Sequence, residues 1–571
     1  MRGCDSAGGA TGSAQKAGKA HIARFEISKI IDVRVVASER GVMTVDRRKW
    51  GVLAVLVGLL VGAPGVAQAG ADPGDEVVVQ TDSGPVRGVN AVGYRLFQGI
   101  PYAAAPVGAA RWEPPRPPAH WVEPREASTP GDRCPQRAGQ ITQPSVSEDC
   151  LSLNVTAPHD QTPRPVLVWV HGGSFIAGAG ADFDARRLST LADAVVVTFN
   201  YRLGVFGFLA HPDLGRSSDI ALQDQQAALR WVRRNVAAFG GDPGNVTLFG
   251  ESAGGRSVCA HVVSPSSAGL FDKVILQSGG CLKDWPKNGI GPGSRAGSSW
   301  VSRASAEQVG VGLATELGCT GAEAAACLRG KSVAELLAAG AKLKWSPIYG
   351  NSVLPENPVT VLHEHRFNQV PVLSGNTLDE DRLNVSGAYP QGISADRYRE
   401  LLQDSFGGDA DRVADTYPLD AFGTPTLAWA TLTTDRVFVC NTLTANRLLA
   451  DRVPTFAYEF ADREAPVVFA DPAGIPPGAY HASELAYLFD LAGVSAKLTP
   501  DQERLAEAMI RSWGRFAATG DPNGPGLPQW PALRPDAAVP YVQAFAPGDG
   551  GIRAVDLSRE HHCDLWNSVG S

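Results

Sequence analysis

The sequence predicts an α/β protein built on a central, mostly parallel, twisted sheet with helices on both faces. Short apolar runs recur along the chain, and segments with helical periodicity separate them. Because such alternation brings strands together through crossover connections, a functional site is expected in the loops at the carboxyl ends of the strands. Strands are predicted at Glu76–Val79, Tyr94–Phe97, Val166–Val170, Ala194–Phe199, Val246–Phe249, Lys273–Leu276, Val370–Leu373 and Thr455–Phe460.

Between these strands the apolar residues follow a helical period. From Asp219 to Phe239 they recur at spacings of seven, three, four and three, which gives a stripe that can lie against the sheet: Leu222, Leu229, Val232, Val236 and Phe239. The Gly- and Ser-rich stretch 288–300 and the helical segment 301–345 interrupt the alternation. We expect them to form an insertion over the functional site rather than a second domain.

The segment Gly250-Glu251-Ser252-Ala253-Gly254 directly follows the strand Val246–Phe249 and precedes an apolar, helix-like segment. A serine on such a sharp strand-to-helix turn is held with its hydroxyl exposed, and the flanking glycines remove Cβ atoms that would collide. The pattern is typical of a nucleophile elbow. A tight turn without chemistry is the alternative that these five residues alone leave open.

A nucleophilic serine needs a histidine to take its proton and a carboxylate to orient that histidine, in the chain order Ser, Asp/Glu, His. After Ser252, the loop following the strand Val370–Leu373 carries the adjacent Asp379 and Glu380, and His481 precedes an apolar helix-like segment. Other histidines are candidates, namely His363, His365, His561 and His562. Neither of these pairs has a second ligand pair at the usual metal spacing, so we predict no metal site.

The strand Val166–Val170 leads directly into His171-Gly172-Gly173-Ser174-Phe175. Glycines after a buried strand allow backbone N–H groups to approach a ligand closely, as an oxyanion hole requires. A phosphate-binding P-loop is excluded because no Gly-Lys-Ser/Thr follows. A plain flexible turn is the alternative.

Taken together, these motifs resemble the type B carboxylesterase family of α/β-hydrolases, which includes the cholinesterases. The resemblance runs from Val77 to Trp566 and rests on motifs in the family's order. Besides the elbow, which continues to Gly255, they are Phe97–Ala103, Glu148–Val155, Asn200–Arg202 with Gly207-Phe208, Trp231-Val232 and Phe239–Pro243.

The resemblance implies a role for each site residue. Ser252 is the nucleophile, Glu380 the acid and His481 the base, and the N–H groups of Gly173, Ser174 and Ala253 form the oxyanion hole. No metal or organic cofactor is implied. The chain departs from the family at Ser174, where Gly or Ala is usual, and at Asp381, where Gly is common.

The resemblance also implies disulfide pairings. Removing Cys4 with the leader leaves eight cysteines, an even number that suits an oxidising compartment. By position in the family, Cys134 pairs with Cys150, Cys319 with Cys327, and Cys440 with Cys563. The remaining two, Cys259 and Cys281, form a fourth pair or stay as free buried thiols.

The N-terminal region is expected to be a targeting segment. Residues 43–69 read as a secretory signal peptide, because Arg47-Arg48-Lys49 precedes the apolar run 51–61 and Ala67-Gln68-Ala69 offers a cleavage site. Residues 1–42 are expected to be upstream sequence before a start at Met43, or a disordered extension. Residues 70–571 are then one catalytic domain.

Composition agrees with a large globular enzyme. Of 571 residues, 44% are hydrophobic and 19% charged, and the net charge is −8. The acidic balance and the lack of a basic stretch argue against nucleic acid or an anionic membrane as partner.

The functional hypothesis is a secreted carboxylic ester hydrolase that acts on small, neutral esters through an acyl-enzyme. The same chemistry on thioesters, lactones, carbamates or polyesters is an alternative, and so is a non-catalytic binding module of the cholinesterase type. Selectivity for choline esters is not expected, because the loop Pro135–Asp149 contains no Trp, Tyr or Phe to bind a quaternary ammonium. Trp285 or Trp300 is the alternative platform. The oligomeric state is left open.

Overall fold

The computed structural model describes residues 76–139, 141–215, 218–468 and 474–569. The predicted signal peptide and the extension before it lie outside the described residues. Among the residues described, no helix is long and apolar enough to cross a membrane.

Nineteen strands are found in the described residues: β1 Glu76–Gln80, β2 Pro85–Ala91, β3 Tyr94–Pro101, β4 Arg125–Glu126, β5 Ser152–Ala157, β6 Arg164–Val170, β7 Phe183–Asp184, β8 Val195–Phe199, β9 Gly241–Glu251, β10 Lys273–Gln277, β11 Asp284–Trp285, β12 Gly297–Ser298, β13 Val301–Ser302, β14 Ile348–Tyr349, β15 Val372–Thr377, β16 Thr455–Phe460, β17 Asp490–Leu491, β18 Val542–Phe545 and β19 Arg553–Val555.

Thirteen of the strands form one sheet in the order β1-β2-β3-β5-β8-β6-β9-β10-β15-β16-β18-β19, with β4 beside β2. The pairs from β8 to β18 are parallel, whereas β1, β2, β3, β5 and β19 join antiparallel at the two ends. The mostly parallel sheet predicted from the sequence is confirmed.

The helices in the described residues are α1 Arg186–Ala192, α2 Gly204–Phe208, α3 Ile220–Asn235, α4 Ala253–Val263, α5 Arg303–Glu316, α6 Ala324–Gly330, α7 Val333–Gly340, α8 Pro358–His363, α9 Arg382–Ala388, α10 Ala395–Phe406, α11 Ala410–Thr416, α12 Pro425–Thr433, α13 Cys440–Ala450, α14 Leu485–Leu488, α15 Pro500–Thr519, α16 Leu557–Glu560 and α17 Cys563–Trp566. A π-helical turn, Thr434–Val439, joins α12 to α13.

Side chains alternate between the two faces of the sheet and so build two cores. In β6, Val166, Val168 and Val170 lie in one core, and Leu167 and Trp169 lie in the other. Strands buried on both faces read as continuous apolar runs, which is why the sequence revealed them.

Helices cover both cores. The apolar stripe predicted between Asp219 and Phe239 packs into the first core from α3 and the 3₁₀ turn that follows it. On the other face, α15 contributes Leu505, Met509 and Trp513 to the second core. Thr499 and Gln502 form a capping box that starts this helix.

The described residues contain four disulfides, three of them with the pairings that the resemblance implies. They join Cys134 to Cys150, Cys259 to Cys281, Cys319 to Cys327 and Cys440 to Cys563. Cys259 and Cys281 are thus paired rather than free.

Some predicted element boundaries were wrong. The strand expected at Val370–Leu373 runs instead from Val372 to Thr377, because Pro371 has no N–H for the ladder. Ser374–Thr377, interpreted as loop, therefore belongs to the strand, and the turn that carries Glu380 begins later. Strands β2, β5, β18 and β19 of the large sheet were not predicted.

Candidate active site

A cavity of about 990 Å³ lies at the carboxyl ends of the parallel strands. The segments that follow β6, β9 and β15 contribute Gly173, Ser252 and Asp381 to its wall. The insertion predicted over the site contributes Arg295 and Trp345. Residues far apart in sequence thus meet around one space that can hold a small molecule.

Ser252 lies on a strained turn between β9 and α4. Its φ of 58° and ψ of −119° are unfavourable for a residue with a side chain, and such strain is typical of functional positions. A Cβ at Gly254 would collide with the carbonyl oxygen of Val170, and one at Gly250 would lie 2.7 Å from that oxygen. The glycines of the elbow are therefore required by close backbone packing.

His481 connects Ser252 to Glu380. Its Nε2 lies 2.7 Å from Ser252 Oγ, and its Nδ1 lies 2.5 Å from Glu380 Oε2. Glu380 is fully buried, and its second oxygen accepts a hydrogen bond of 3.0 Å from the N–H of Thr377. The three side chains form a continuous hydrogen-bonded chain that ends at the cavity.

Asp379, the carboxylate next to Glu380, points elsewhere. It forms ion pairs with Arg382 and Arg463 and accepts a hydrogen bond from the N–H of Ala479 at 3.0 Å. Asp379 thereby fastens the turn after β15 to the segment that carries His481. Of the two adjacent carboxylates, Glu380 is the one that contacts the imidazole.

The loop after β6 has three consecutive residues with positive φ: Gly173 at 99°, Ser174 at 54° and Phe175 at 62°. Gly173, Ser174 and Ala253 line the same cavity as Ser252. His171, at the start of the loop, is buried, and burial lowers its pKa to about 4. Tyr201 stacks on the ring of His171 and donates a hydrogen bond of 2.7 Å to its carbonyl oxygen. The neutral, closely packed imidazole of His171 therefore supports this strained loop.

Two features of the site answer questions that the sequence raised about Ser174 and Asp381. Ser174 has positive φ, so a serine here adopts a backbone conformation that glycine would adopt without strain. Asp381 is buried beside the site, and it accepts a hydrogen bond of 2.9 Å from Asn384. Burial raises the pKa of Asp381.

Glu251 is a second carboxyl group at the imidazole. Its Oε1 lies 3.1 Å from His481 Nε2, and the residue is almost fully buried. Burial and the negative charge of Glu380 hold the pKa of Glu251 well above its usual value. The sequence interpretation missed this contact, although Glu251 immediately precedes the serine.

Positive side chains occupy one wall of the cavity. Arg256 lies 5.5 Å from the ring centre of Trp285, Lys283 lies 5.2 Å from it and Lys344 5.8 Å. Lys283 Nζ is also 3.1 Å from the ring centre of Phe438 in the π-helical turn. No pattern in the sequence indicates this grouping, because its members come from three separate segments.

Comparison with known proteins fits this geometry. The model of the carboxylesterase family matches residues 75–566. The chain belongs to the carboxylesterase family. The predicted resemblance is thereby confirmed, and with it the α/β-hydrolase fold and the assignment as a carboxylic ester hydrolase.

Individual proteins that are similar to this member of the carboxylesterase family are named as hydrolases or esterases. The chain is 34% identical to an acylcarnitine hydrolase from Mus musculus, over 78% of this chain and 82% of the relative. It is 33% identical to the para-nitrobenzyl esterase of Bacillus subtilis, over 80% of this chain and 92% of the relative. The solved structure of a thermophylic PNB esterase is similar, with a TM-score of 0.69 and 28% identity over 86% of this chain and 99% of the other.

Proposed function

We propose that this carboxylesterase is a serine enzyme that works through an acyl-enzyme intermediate. The observation that carries the proposal is the chain of hydrogen bonds from Ser252 through His481 to Glu380 at the cavity. In the resting state the Ser252 hydroxyl donates to His481 Nε2, and the Nδ1–H of His481 donates to Glu380. This arrangement prepares the imidazole to take the serine proton.

In the first half-reaction Ser252 Oγ attacks the ester carbonyl carbon while His481 takes its proton. The carbonyl oxygen becomes an oxyanion, which the N–H groups of Gly173, Ser174 and Ala253 stabilise. The tetrahedral intermediate collapses as His481 protonates the leaving alcohol. The product is an ester between the substrate's acyl group and Ser252.

In the second half-reaction His481 removes a proton from water, which attacks the acyl-enzyme. The same oxyanion hole stabilises the second intermediate. His481 then returns the proton to Ser252 Oγ as the carboxylic acid leaves. Glu380 keeps the imidazole oriented and stabilises its positive charge in both halves.

We propose that the substrates are esters without a cationic group, such as small neutral esters. The face of Trp285, one alternative platform for choline, already has Arg256, Lys283 and Lys344 around it. Trp300, the other alternative, is buried and donates a hydrogen bond of 2.8 Å to the carbonyl oxygen of Cys281. A quaternary ammonium entering the cavity would meet like charges rather than a free aromatic face.

We also propose that residues 43–69 direct export and that residues 70–571 are the mature catalytic domain. Four disulfides support this proposal, because such bonds persist in oxidising compartments. N-terminal sequencing of the protein recovered outside the cell tests it. A start near Gly70 is expected, and a start within residues 1–42 would contradict it.

The function is tested with a panel of esters of varied acyl length and alcohol, assayed with the wild type and Ser252→Ala. Neutral esters should be hydrolysed by the wild type alone. A choline ester should have no kcat/KM advantage over an uncharged ester of similar size. An advantage of about a hundredfold, equal to about 2.7 kcal/mol, would contradict the proposed substrate class.

A further inference from the structure

Arg256 lies one helical turn after Ser252 on α4. Its N–H donates a hydrogen bond of 2.9 Å to the carbonyl oxygen of Ser252, and both residues line the cavity. The guanidinium lies between two rings, 5.7 Å from that of Phe175 and 5.5 Å from that of Trp285. Phe175 directly follows Ser174 of the strained loop, which places Arg256 beside the reacting centre.

Arg256 has no carboxylate partner among the residues the structure describes, and its buried Nε has no hydrogen-bond partner there. A cation between aromatic faces gains some stabilisation from their π-systems, but its N–H groups still require acceptors. Arg256 also lines the cavity. Its guanidinium, which has no carboxylate partner among the described residues, is therefore within reach of a ligand in the cavity.

Lys283 supplies a second cation to the same wall. Only 5% of the residue is exposed, it lines the cavity, and the described part of the chain offers its ammonium no ion pair. Burial, followed by the charge of Arg256, lowers its pKa to about 7. A buried ammonium that is not ion-paired is unfavourable, and an anion between Lys283 and Arg256 would relieve this.

The carboxyl groups that face Lys283 are Glu251, Glu380 and Asp381. Glu380 is hydrogen-bonded to His481, and burial raises the pKa of both Glu251 and Asp381, which reduces the negative charge opposite the cations. Lys344 adds a third positive charge, 5.8 Å from the ring centre of Trp285. The wall thus presents more positive than negative charge to the cavity.

We propose that Arg256 and Lys283 form an anion-binding subsite of the substrate pocket, which takes a carboxylate carried by the ester itself. The inference rests on the proposed function and narrows its substrate class from esters without a cation to half-esters of dicarboxylic acids, or esters of hydroxy acids. Arg256 binds the carboxylate through its N–H groups, and Lys283 adds a second charge. The subsite plays no part in bond making or breaking.

Matched pairs of substrates test the subsite. Ethyl hydrogen glutarate and its primary amide differ only in charge on the acyl side, and 4-butanoyloxybutanoate and its amide do so on the alcohol side. The wild type should favour the anion of at least one pair by about 10- to 100-fold in kcat/KM, as for hydrogen bonds between charged groups. The pair that shows the preference identifies the side of the ester that faces Arg256.

Variants attribute the preference to the cations. In Arg256→Gln the ratio of anion to amide should fall to about one, and in Lys283→Gln it should fall part of the way. Arg256→Lys should retain more of the ratio than Arg256→Gln. Arg399→Gln, at an exposed arginine of α10, is the matched control and should leave the ratio unchanged. Because each ratio is taken within one variant, loss of folded enzyme cancels.

Competition supplies a measurement that needs no variant. Glutarate should inhibit hydrolysis of ethyl butanoate by the wild type at least about tenfold more strongly than glutaramide, a difference of about 1.4 kcal/mol. Ratios near one for both substrate pairs, or a preference that survives Arg256→Gln, would overturn the subsite. If the wild type fails to hydrolyse ethyl butanoate and both amides, the proposed function itself fails.

Discussion

Two histidines in this structure each have a carboxylate as the hydrogen-bond partner of Nδ1, but they differ in the partner of Nε2. Both His481 and His561 place Nδ1 beside a carboxylate, at 2.5 Å from Glu380 and 2.6 Å from Asp435 respectively. The Nε2 of His481 meets the Ser252 hydroxyl. The Nε2 of His561 meets a second carboxylate, that of Glu459, at 2.7 Å.

The second partner decides what each imidazole can do. Burial alone would lower the pKa of His561, but Asp435 and Glu459 outweigh it and raise the pKa to about 10. His561 is therefore a permanent cation at neutral pH, and it ties α16 to β16 and to the π-helical turn. A carboxylate and histidine pair alone does not indicate catalysis, whereas a pair whose free nitrogen faces a hydroxyl in a cavity does.

The largest expected effect is a difference in kcat between variants of the two histidines. Ser252→Ala and His481→Ala should each lower kcat by a factor on the order of 10⁴ to 10⁶, because they act as a unit, while thermal unfolding changes little. His561→Gln should retain the wild-type kcat per active site. Steady-state kinetics measures both, with active sites counted by titration in the wild type and His561→Gln and by protein concentration in Ser252→Ala and His481→Ala. A comparable loss of kcat in His561→Gln would contradict the distinction between a catalytic His481 and a structural His561.

Glu380→Gln should lower kcat by a factor on the order of 10³, less than either change above, because an amide favours the wrong imidazole tautomer. Asp379→Asn should mainly reduce stability, since Asp379 pairs with two arginines instead of the imidazole. The kinetics of the two variants, measured side by side, check this prediction. A large loss of kcat in Asp379→Asn together with almost none in Glu380→Gln would mean that Asp379, and not Glu380, orients the imidazole.

His561→Gln should lower the free energy of unfolding by about 3 to 5 kcal/mol, because two buried carboxylates lose their cation. Since the folded pKa of about 10 lies above the usual histidine value of 6.5, this stabilisation is fully present below pH 6.5 and is lost as pH rises through 10. Denaturant unfolding of wild type and variant from pH 6 to 10 should show the difference shrinking. His562→Asn, at the exposed neighbour with a φ of 52°, is the control. A difference that grows with pH would refute the ion pairing.

The smallest effect is expected at Glu251. Burial and the charge of Glu380 raise the pKa of Glu251, which favours its neutral form, and Glu251→Gln replaces that form by a neutral group of the same shape. We expect kcat/KM to change by less than about tenfold, or 1.4 kcal/mol. A loss of a hundredfold at pH 7 would mean that Glu251 acts as an anion beside His481.

Some features of this fold and site can be predicted from the sequence, and others cannot. Central strands such as β6 and β9 were predictable because burial on both faces leaves continuous apolar runs. Strand β2 was not, since Pro85 begins it, Gly88 interrupts it and its burial alternates. The elbow and the loop after β6 were predictable because strained turns demand glycine at fixed offsets.

Contacts between segments that lie far apart in the chain could not be predicted from the sequence. His561 lies 126 residues from Asp435 in the chain, so the sequence did not reveal this ion pair. Likewise, Arg256 reads as one charge in an apolar helix, and only the fold reveals that Lys283 and Trp285 stand beside it.

Labelling with a fluorophosphonate tests the central claim most directly, namely that His481 activates Ser252 and His561 does not. Peptide mapping by mass spectrometry should place one phosphonyl group on Ser252 in the wild type and in His561→Gln. His481→Gln should remain unlabelled over the same period. A label on another residue, or equal labelling of Ser252 in His481→Gln, would contradict the account.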